Sequence, residues 1–139
     1  MEKREVFVIE DNAADRFWLE HVLKLVAEEY NLSFVTDGQQ AVDFLLKRGQ
    51  YHDAPTPDVI FLDVHLPILD GIEVLRQIPN ARALPLCVLT SSEGEREAFR
   101  QEFGIEGSNY VLKPATQESV VSSGCWHQFL KTQERHERN

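Results

Sequence analysis

Val59-Ile60-Phe61-Leu62-Asp63-Val64-His65-Leu66-Pro67 carries four strongly apolar residues into an acid and then breaks at Leu66-Pro67. A short apolar run bounded by a turn reads as a strand buried on both faces. This run is the most hydrophobic in the chain, so it is placed at the centre of a sheet. Working outward, Val6-Phe-Val-Ile9, Leu32-Ser-Phe-Val-Thr36, Leu86-Cys-Val-Leu89 and Tyr110-Val-Leu112 read as four further strands. Helix-period segments separate them. Asn12 caps the first, with Trp18, Val22, Leu25 and Val26 at helical spacing. The second spans about Gly38 to Lys47, with Ala41, Phe44 and Leu45 on one face. Arg48 to Pro57 is a loop, because its two prolines block both helix and central strand. Asp70 caps a third helix carrying Ile72, Leu75 and Ile78. Glu93 to Phe103 is a polar fourth helix that Gly104 ends. Thr116 caps a last one with Val120, Val121, Trp126, Phe129 and Leu130 as its apolar positions. Five strands alternating with five helices predict an α/β domain, a five-stranded parallel sheet with helices on both faces and right-handed crossovers.

Composition sets the outer bounds. The chain has 139 residues, 42% of them hydrophobic, which suits one domain able to bury a core and excludes disorder as its main state. No apolar run approaches the ~20 residues that cross a bilayer, and the N-terminus lacks a signal-peptide layout. With 23 acids against 14 Lys and Arg, the net charge of -9 argues against direct binding to nucleic acid, which relies on clustered cations. Cys87 and Cys125 lack metal-ligand spacing and fit a reducing compartment. The expectation is a soluble, acidic, cytoplasmic protein with no membrane contact. Residues 1–130 form its domain and residues 131–139 a charged tail without apolar anchors.

Chemistry-bearing residues fall at the strand ends. Glu10 and Asp11 follow the first strand, Asp63 follows the third, Thr90 the fourth and Lys113 the fifth. In a parallel α/β sheet these carboxyl ends share one edge, where ligands bind. An acid after a strand is commonly a helix cap, but the joint pattern is hard to produce that way. Three carboxylates in one cleft repel one another, so one holds a proton or a cation sits among them. An all-oxygen set without a His or Cys cluster favours a hard cation, and Mg²⁺ is the usual one where phosphate is handled. With an ammonium at Lys113 and a hydroxyl at Thr90, the site suits a phosphoryl group. No Ser or Cys nucleophile stands beside a His base, and no P-loop occurs.

These residues in this order resemble the receiver domain of two-component response regulators. The matching pieces are Val-Ile-Glu10-Asp11-Asn12, Ile-Phe-Leu-Asp63-Val-His-Leu-Pro67, Asp70-Gly71, Leu-Thr90-Ser-Ser and Tyr110-Val-Leu-Lys113-Pro114. The Ala54-Pro-Thr-Pro-Asp58 lead-in and the long loop before it resemble the small single-domain regulators paired with bacterial and cyanobacterial phytochromes. The resemblance implies a flavodoxin-like sheet of strand order 2-1-3-4-5 and a phosphoacceptor signalling protein rather than an enzyme acting on a separate substrate. It implies that Asp63 takes the phosphoryl group from a sensor histidine kinase, of phytochrome type by the same resemblance. Asp11, Asp63 and the backbone carbonyl of His65 would hold Mg²⁺, with Glu10 acting mostly through a water. Lys113 would pair with the phosphoryl oxygens and Thr90 would hydrogen-bond one of them. Tyr110 would then rotate inward and reshape the face of the fourth helix, fifth strand and fifth helix. A cis Lys113-Pro114 bond is expected as well.

The chain departs from the common pattern at two places. Glu10 stands where Asp is more frequent, one methylene longer. His65 stands two residues past the acceptor, where its side chain would hang over the site and alter the lifetime of the phosphoryl group. His65 also disfavours a metal-dependent phosphatase, which usually carries a second acid there. The alternative reading is a receiver-like interaction module that never takes phosphate; such modules typically lose the acids, the Lys or the Thr, all present here. Tyr110 has a bland reading too, as a strand-end core aromatic. Output is expected either by docking a separate target or by a homodimer through the face just described, with Trp126, Phe129 and Leu130 as apolar contacts.

Overall fold

The computed structural model describes residues 3–27, 29–105 and 109–138, the last seven of these by their backbone alone. Five strands, β1 (Arg4–Ile9), β2 (Tyr30–Val35), β3 (Val59–Asp63), β4 (Leu86–Thr90) and β5 (Tyr110–Leu112), pair in the order β2-β1-β3-β4-β5. Every pairing is parallel, with Ile9 opposite Leu62 and Asp63 opposite Leu89. The expected architecture is therefore the observed one, with β3 in the middle and all five of its residues buried.

Strand alternation divides the core into two layers. Phe7, Ile9, Ile60, Leu62 and Val88 face one side, where α2 (Gly38–Leu45), α3 (Gly71–Arg76) and α4 (Glu93–Phe103) cover them with Val42, Phe44, Val74, Leu75 and Phe99. Val6, Val8, Val59, Phe61, Cys87 and Leu89 face the other side, beneath α1 (Ala13–Val26), α5 (Gln117–Val121) and α6 (Gly124–Arg138). The caps read from the sequence are in place. Asn12 accepts the Asp15 N–H at 2.9 Å, Asp70 and Glu73 form a reciprocal capping box, and Gly104 ends α4 in the left-handed region at φ 64°.

Three expectations need correction. The last helix is two helices: after Thr116 caps α5, the chain breaks at Ser122-Ser123. Ser123 Oγ donates to the Val120 carbonyl at 2.7 Å and accepts the Trp126 N–H at 3.3 Å, so one hydroxyl closes α5 and opens α6. The buried stripe of α1 is Leu19, Val22 and Leu23, whereas Leu25 is exposed. Trp126 and Phe129 belong to the chain's own core, 2% and 3% exposed, so of the three proposed dimer contacts only Leu130 reaches the surface. The backbone of residues 131–138, expected as a charged tail, is helical as the last part of α6.

Two glycines mark backbone approaches that position the site edge. A Cβ on Gly38 would lie 1.9 Å from the Leu69 carbonyl oxygen, where the start of α2 meets the loop after β3. Gly71 donates to the Val64 carbonyl, and a Cβ there would lie 2.9 Å from the Asp63 carbonyl oxygen. Because backbone atoms cannot step aside, Gly38→Ala is expected to cost about 2 kcal/mol by overpacking. Urea denaturation would show it as a lower midpoint at unchanged slope.

Candidate functional site

The carboxyl ends of β1, β3, β4 and β5 bring the sequence-predicted residues to one crevice. β1 delivers Glu10, 1% exposed, and the exposed Asp11; β3 ends on Asp63, 2% exposed. One carboxylate oxygen from each of the three lies within 4.8 Å of the others. Across them reaches Lys113, whose Nζ stands 2.8 Å from Asp63 Oδ2, 3.0 Å from Glu10 Oε1 and 3.2 Å from Asp15 Oδ2. The Lys113-Pro114 bond is cis, and the Lys113 N–H donates to the Thr90 carbonyl at 2.8 Å, tying the ends of β4 and β5 together. Thr90 itself is 3% exposed at the end of β4.

Three carboxylates thus meet one ammonium, with Asp11 beside them, and the imbalance shows at Glu10. Burial, followed by the hydrogen bond to Asp63, pushes the Glu10 carboxyl up to about 8, against the smaller opposing pull of Lys113. Burial alone would lower Lys113, but its bonds to Asp63 and Glu10 outweigh that and hold it above its ordinary value. Glu10 Oε2 is buried with no hydrogen-bond partner. An oxygen-only donor set, excess negative charge and an orphaned buried carboxylate oxygen together fit a hard divalent cation. Glu10, Asp11 and Asp63 are the side chains that could hold one.

The mouth of the crevice is built differently from expectation. The His65 N–H donates to Asp63 Oδ1 at 3.0 Å, so both oxygens of Asp63 are engaged. The His65 imidazole, however, turns to α4, where Nε2 meets the Glu95 carboxylate. Glu95 Oε2 also accepts the Ser91 N–H at 2.9 Å. Sequence reasoning missed Asp15 and Glu95. Asp15 lies four residues after Asp11 in the first turn of a helix starting at the crevice, a signal available but hidden by its role as a helix-start acid. Glu95 had no comparable signal, because its link to His65 spans 30 residues.

Tyr110 packs against the layer containing Phe99 and Phe103, with the Arg96 guanidinium 5.5 Å from its ring centroid. Its hydroxyl is buried without a partner, and burial pushes it above its ordinary value. The ring is therefore already turned inward, from a position opposite Val88, two residues before Thr90 on the neighbouring strand.

Comparison with known proteins places this geometry. The model of the response regulator receiver domain matches residues 6–123. Response regulator Rcp1 of Synechocystis sp. (strain ATCC 27184 / PCC 6803 / Kazusa) is 38% identical over 97 residues, covering 68% of this chain and 66% of Rcp1. The chain thus spans about two thirds of the length of that relative. The structure of Mn(2+)-bound Rcp1 aligns with TM-score 0.68 at 30% identity, over 94% of this chain and 90% of that one. The bacteriophytochrome response regulator AtBRR aligns with TM-score 0.75 at 31% identity, over 96% and 92%. The phosphorylated cyanobacterial phytochrome response regulator RcpA aligns with TM-score 0.66 at 28% identity, over 98% and 93%. The resemblance to phytochrome response regulators read from the sequence is thereby matched in three dimensions. An acid crevice at the strand ends, a lysine clamped on its central carboxylate and a receiver model matching from β1 to the end of α5 put the chain in the response regulator receiver family.

Proposed function

We propose that this protein is a phosphoacceptor that takes a phosphoryl group on Asp63 from the phosphohistidine of a phytochrome-type sensor histidine kinase. The observation that carries this reading is the Lys113 ammonium 2.8 Å from Asp63 Oδ2 inside the acid cluster. In the transfer, an Asp63 carboxylate oxygen attacks phosphorus and the P–N bond to the histidine breaks. The electron pair stays on the imidazole nitrogen. Such a step needs positioning and charge neutralisation rather than a covalent device. Lys113 supplies one fixed positive charge against the phosphoryl oxygens, and the buried Thr90 hydroxyl donates to one of them. Mg²⁺, held by Asp11, Asp63 and the His65 backbone carbonyl with Glu10 behind, would neutralise further charge on the transferring group.

Switching is assigned to Thr90 and Tyr110. A phosphoryl oxygen that draws the Thr90 hydroxyl inward changes the space beside Tyr110, and the unpaired Tyr110 hydroxyl gives that ring an alternative position to gain. The signal leaves through the face of α4, β5 and α5, where Leu112 and Val121 are exposed, continued by Leu130 of α6. This face serves a homodimer. The protein acts in the cytoplasm, with residues 1–130 as its receiver unit; among the described residues no helix is long and apolar enough to cross a membrane.

The test is phosphotransfer. A phytochrome-type kinase autophosphorylated with labelled ATP should lose its label to the wild-type chain in Mg²⁺ and keep it in the presence of Asp63→Asn. Label appearing on Asp63→Asn would place the acceptor elsewhere. Label staying on the kinase with the wild type would remove the phytochrome-type partner.

A further inference from the structure

We infer that Glu95 is a positioning residue that closes the mouth of the phosphorylation site through His65 and Ser91. This rests on the reading of Asp63 as phosphoacceptor and adds a control on how a donor reaches it. Three separate segments meet at one carboxylate. Glu95 lies in the first turn of α4, its Oε1 meets His65 Nε2 on the loop after β3, and its Oε2 accepts the Ser91 N–H at 2.9 Å, one residue beyond Thr90. β3 and β4 are adjacent, with Asp63 opposite Leu89, so a bridge from His65 to Ser91 crosses the ends of both strands. The Glu95 side chain is only 19% exposed although it lies on a polar helix, while the imidazole it holds is 70% exposed. A carboxylate that is mostly covered, paired at both oxygens and placed beside Thr90 is set there by the fold.

The bridge acts in two ways against an incoming donor. It holds the His65 imidazole across the mouth where a donor must enter, and it ties that imidazole through Glu95 to the Ser91 N–H at the end of the neighbouring strand. The closed arrangement therefore competes with donor binding, and the apparent affinity is reduced by the fraction of molecules that are open. His65 contributes the span and Glu95 the anchor, so removing either one opens the mouth.

The test uses acetyl phosphate with Mg²⁺ and four forms of the full chain: wild type, Glu95→Ala, His65→Ala and the double variant. In the reaction an Asp63 oxygen attacks phosphorus, the bond from phosphorus to the acetate oxygen breaks, and acetate leaves with the electron pair. Each single variant is expected to lower the donor concentration at half-maximal rate about threefold, the worth of one partly exposed ion pair, and Glu95→Ala, which lies outside the metal and acceptor set, should do so with its limiting rate unchanged. The double variant should match the singles, since both residues act through one bridge. Additive effects, an unchanged half-saturation, or a Glu95→Ala variant in which only the limiting rate changes would overturn the inference. A separate readout needs no phosphoryl transfer: in Glu95→Ala, the Ser91 amide and His65 ring resonances should both move in NMR spectra. Unmoved resonances would remove the bridge itself. Moved resonances with a wild type that takes no phosphoryl group would remove the acceptor reading instead.

Discussion

Trp126→Ala is expected to lower the stability of the chain by about 4 kcal/mol, the range for a large aromatic removed from a core. Trp126 is 2% exposed and stacks on Phe129 with ring centroids 4.8 Å apart, in the layer that α6 closes over Val59, Phe61, Cys87 and Leu89. A small domain holds only about 5–15 kcal/mol in total, so this loss takes a large share. The Phe129 ring would lose its stacking partner, and that ring also carries the Arg4 guanidinium 4.1 Å from its centroid. Arg4 further donates to the Phe129 carbonyl at 2.9 Å, which links the start of β1 to α6. Urea titration followed by far-UV circular dichroism should show the lower midpoint. A midpoint within error of wild type would contradict the placement of α6. The same placement moves the dimer question to the surface. Leu130, 39% exposed, and Leu112, 56% exposed, are the positions where an Asp substitution tests association without emptying the core.

Lys113→Ala is expected to cost about 3 kcal/mol without metal, and to lose phosphoryl uptake. Removing one partner of a buried ion pair leaves the other charged and unpaired, which costs more than the pair contributes. Here the ammonium, itself 17% exposed, answers two carboxylates that are 1% and 3% exposed, so both Glu10 and Asp63 are stranded. The penalty depends on pH in a definite direction. Glu10 sits at 4.5 when unfolded and about 8 when folded, so the folded state binds the extra proton between those values. Stability from this group is full below 4.5 and falls as pH rises through about 8. The lysine-free variant should accordingly be least stable at alkaline pH. Mg²⁺ held by the folded acid cluster alone would raise the melting temperature of Lys113→Ala more than that of wild type. Thermal melts at two pH values, with and without Mg²⁺, check all three statements. A variant as stable as wild type at pH 9 without metal would contradict the clamp.

The fold was legible because the signals that define it are local. Val59 to Leu62 and Leu86 to Leu89 are continuous apolar runs, and Asn12, Asp70 and Thr116 are cap residues with side chains that accept a backbone N–H three residues on. The break inside the last helix was missed because Ser122-Ser123-Gly124 is a weak stop, and the apolar spacing of Val120, Trp126 and Phe129 runs straight through it. The α1 stripe was misread for a related reason. Leu19, Val22 and Leu23 form a second apolar stripe at helical spacing, and packing against the sheet selects that one.

At the site, residues fixed by their own strand ends were legible: Glu10, Asp11, Asp63, Thr90 and Lys113 come to one edge by topology alone. What the sequence withheld were the contacts between distant helices and loops. The Glu95 bridge to His65, the Asp15 contribution to the Lys113 clamp and the inward set of Tyr110 depend on side-chain directions that no periodicity encodes. His65 is the clearest case, since its position relative to Asp63 was readable and its partner was not.

The most direct measurement is intact-mass analysis of the wild-type chain and Asp63→Asn after incubation with acetyl phosphate, each with and without Mg²⁺. The expected result is a gain of one phosphoryl group in the wild type with Mg²⁺ and in no other sample. An equal gain in Asp63→Asn, or a folded wild type that gains nothing in Mg²⁺, would contradict the assignment of Asp63 as the phosphoacceptor.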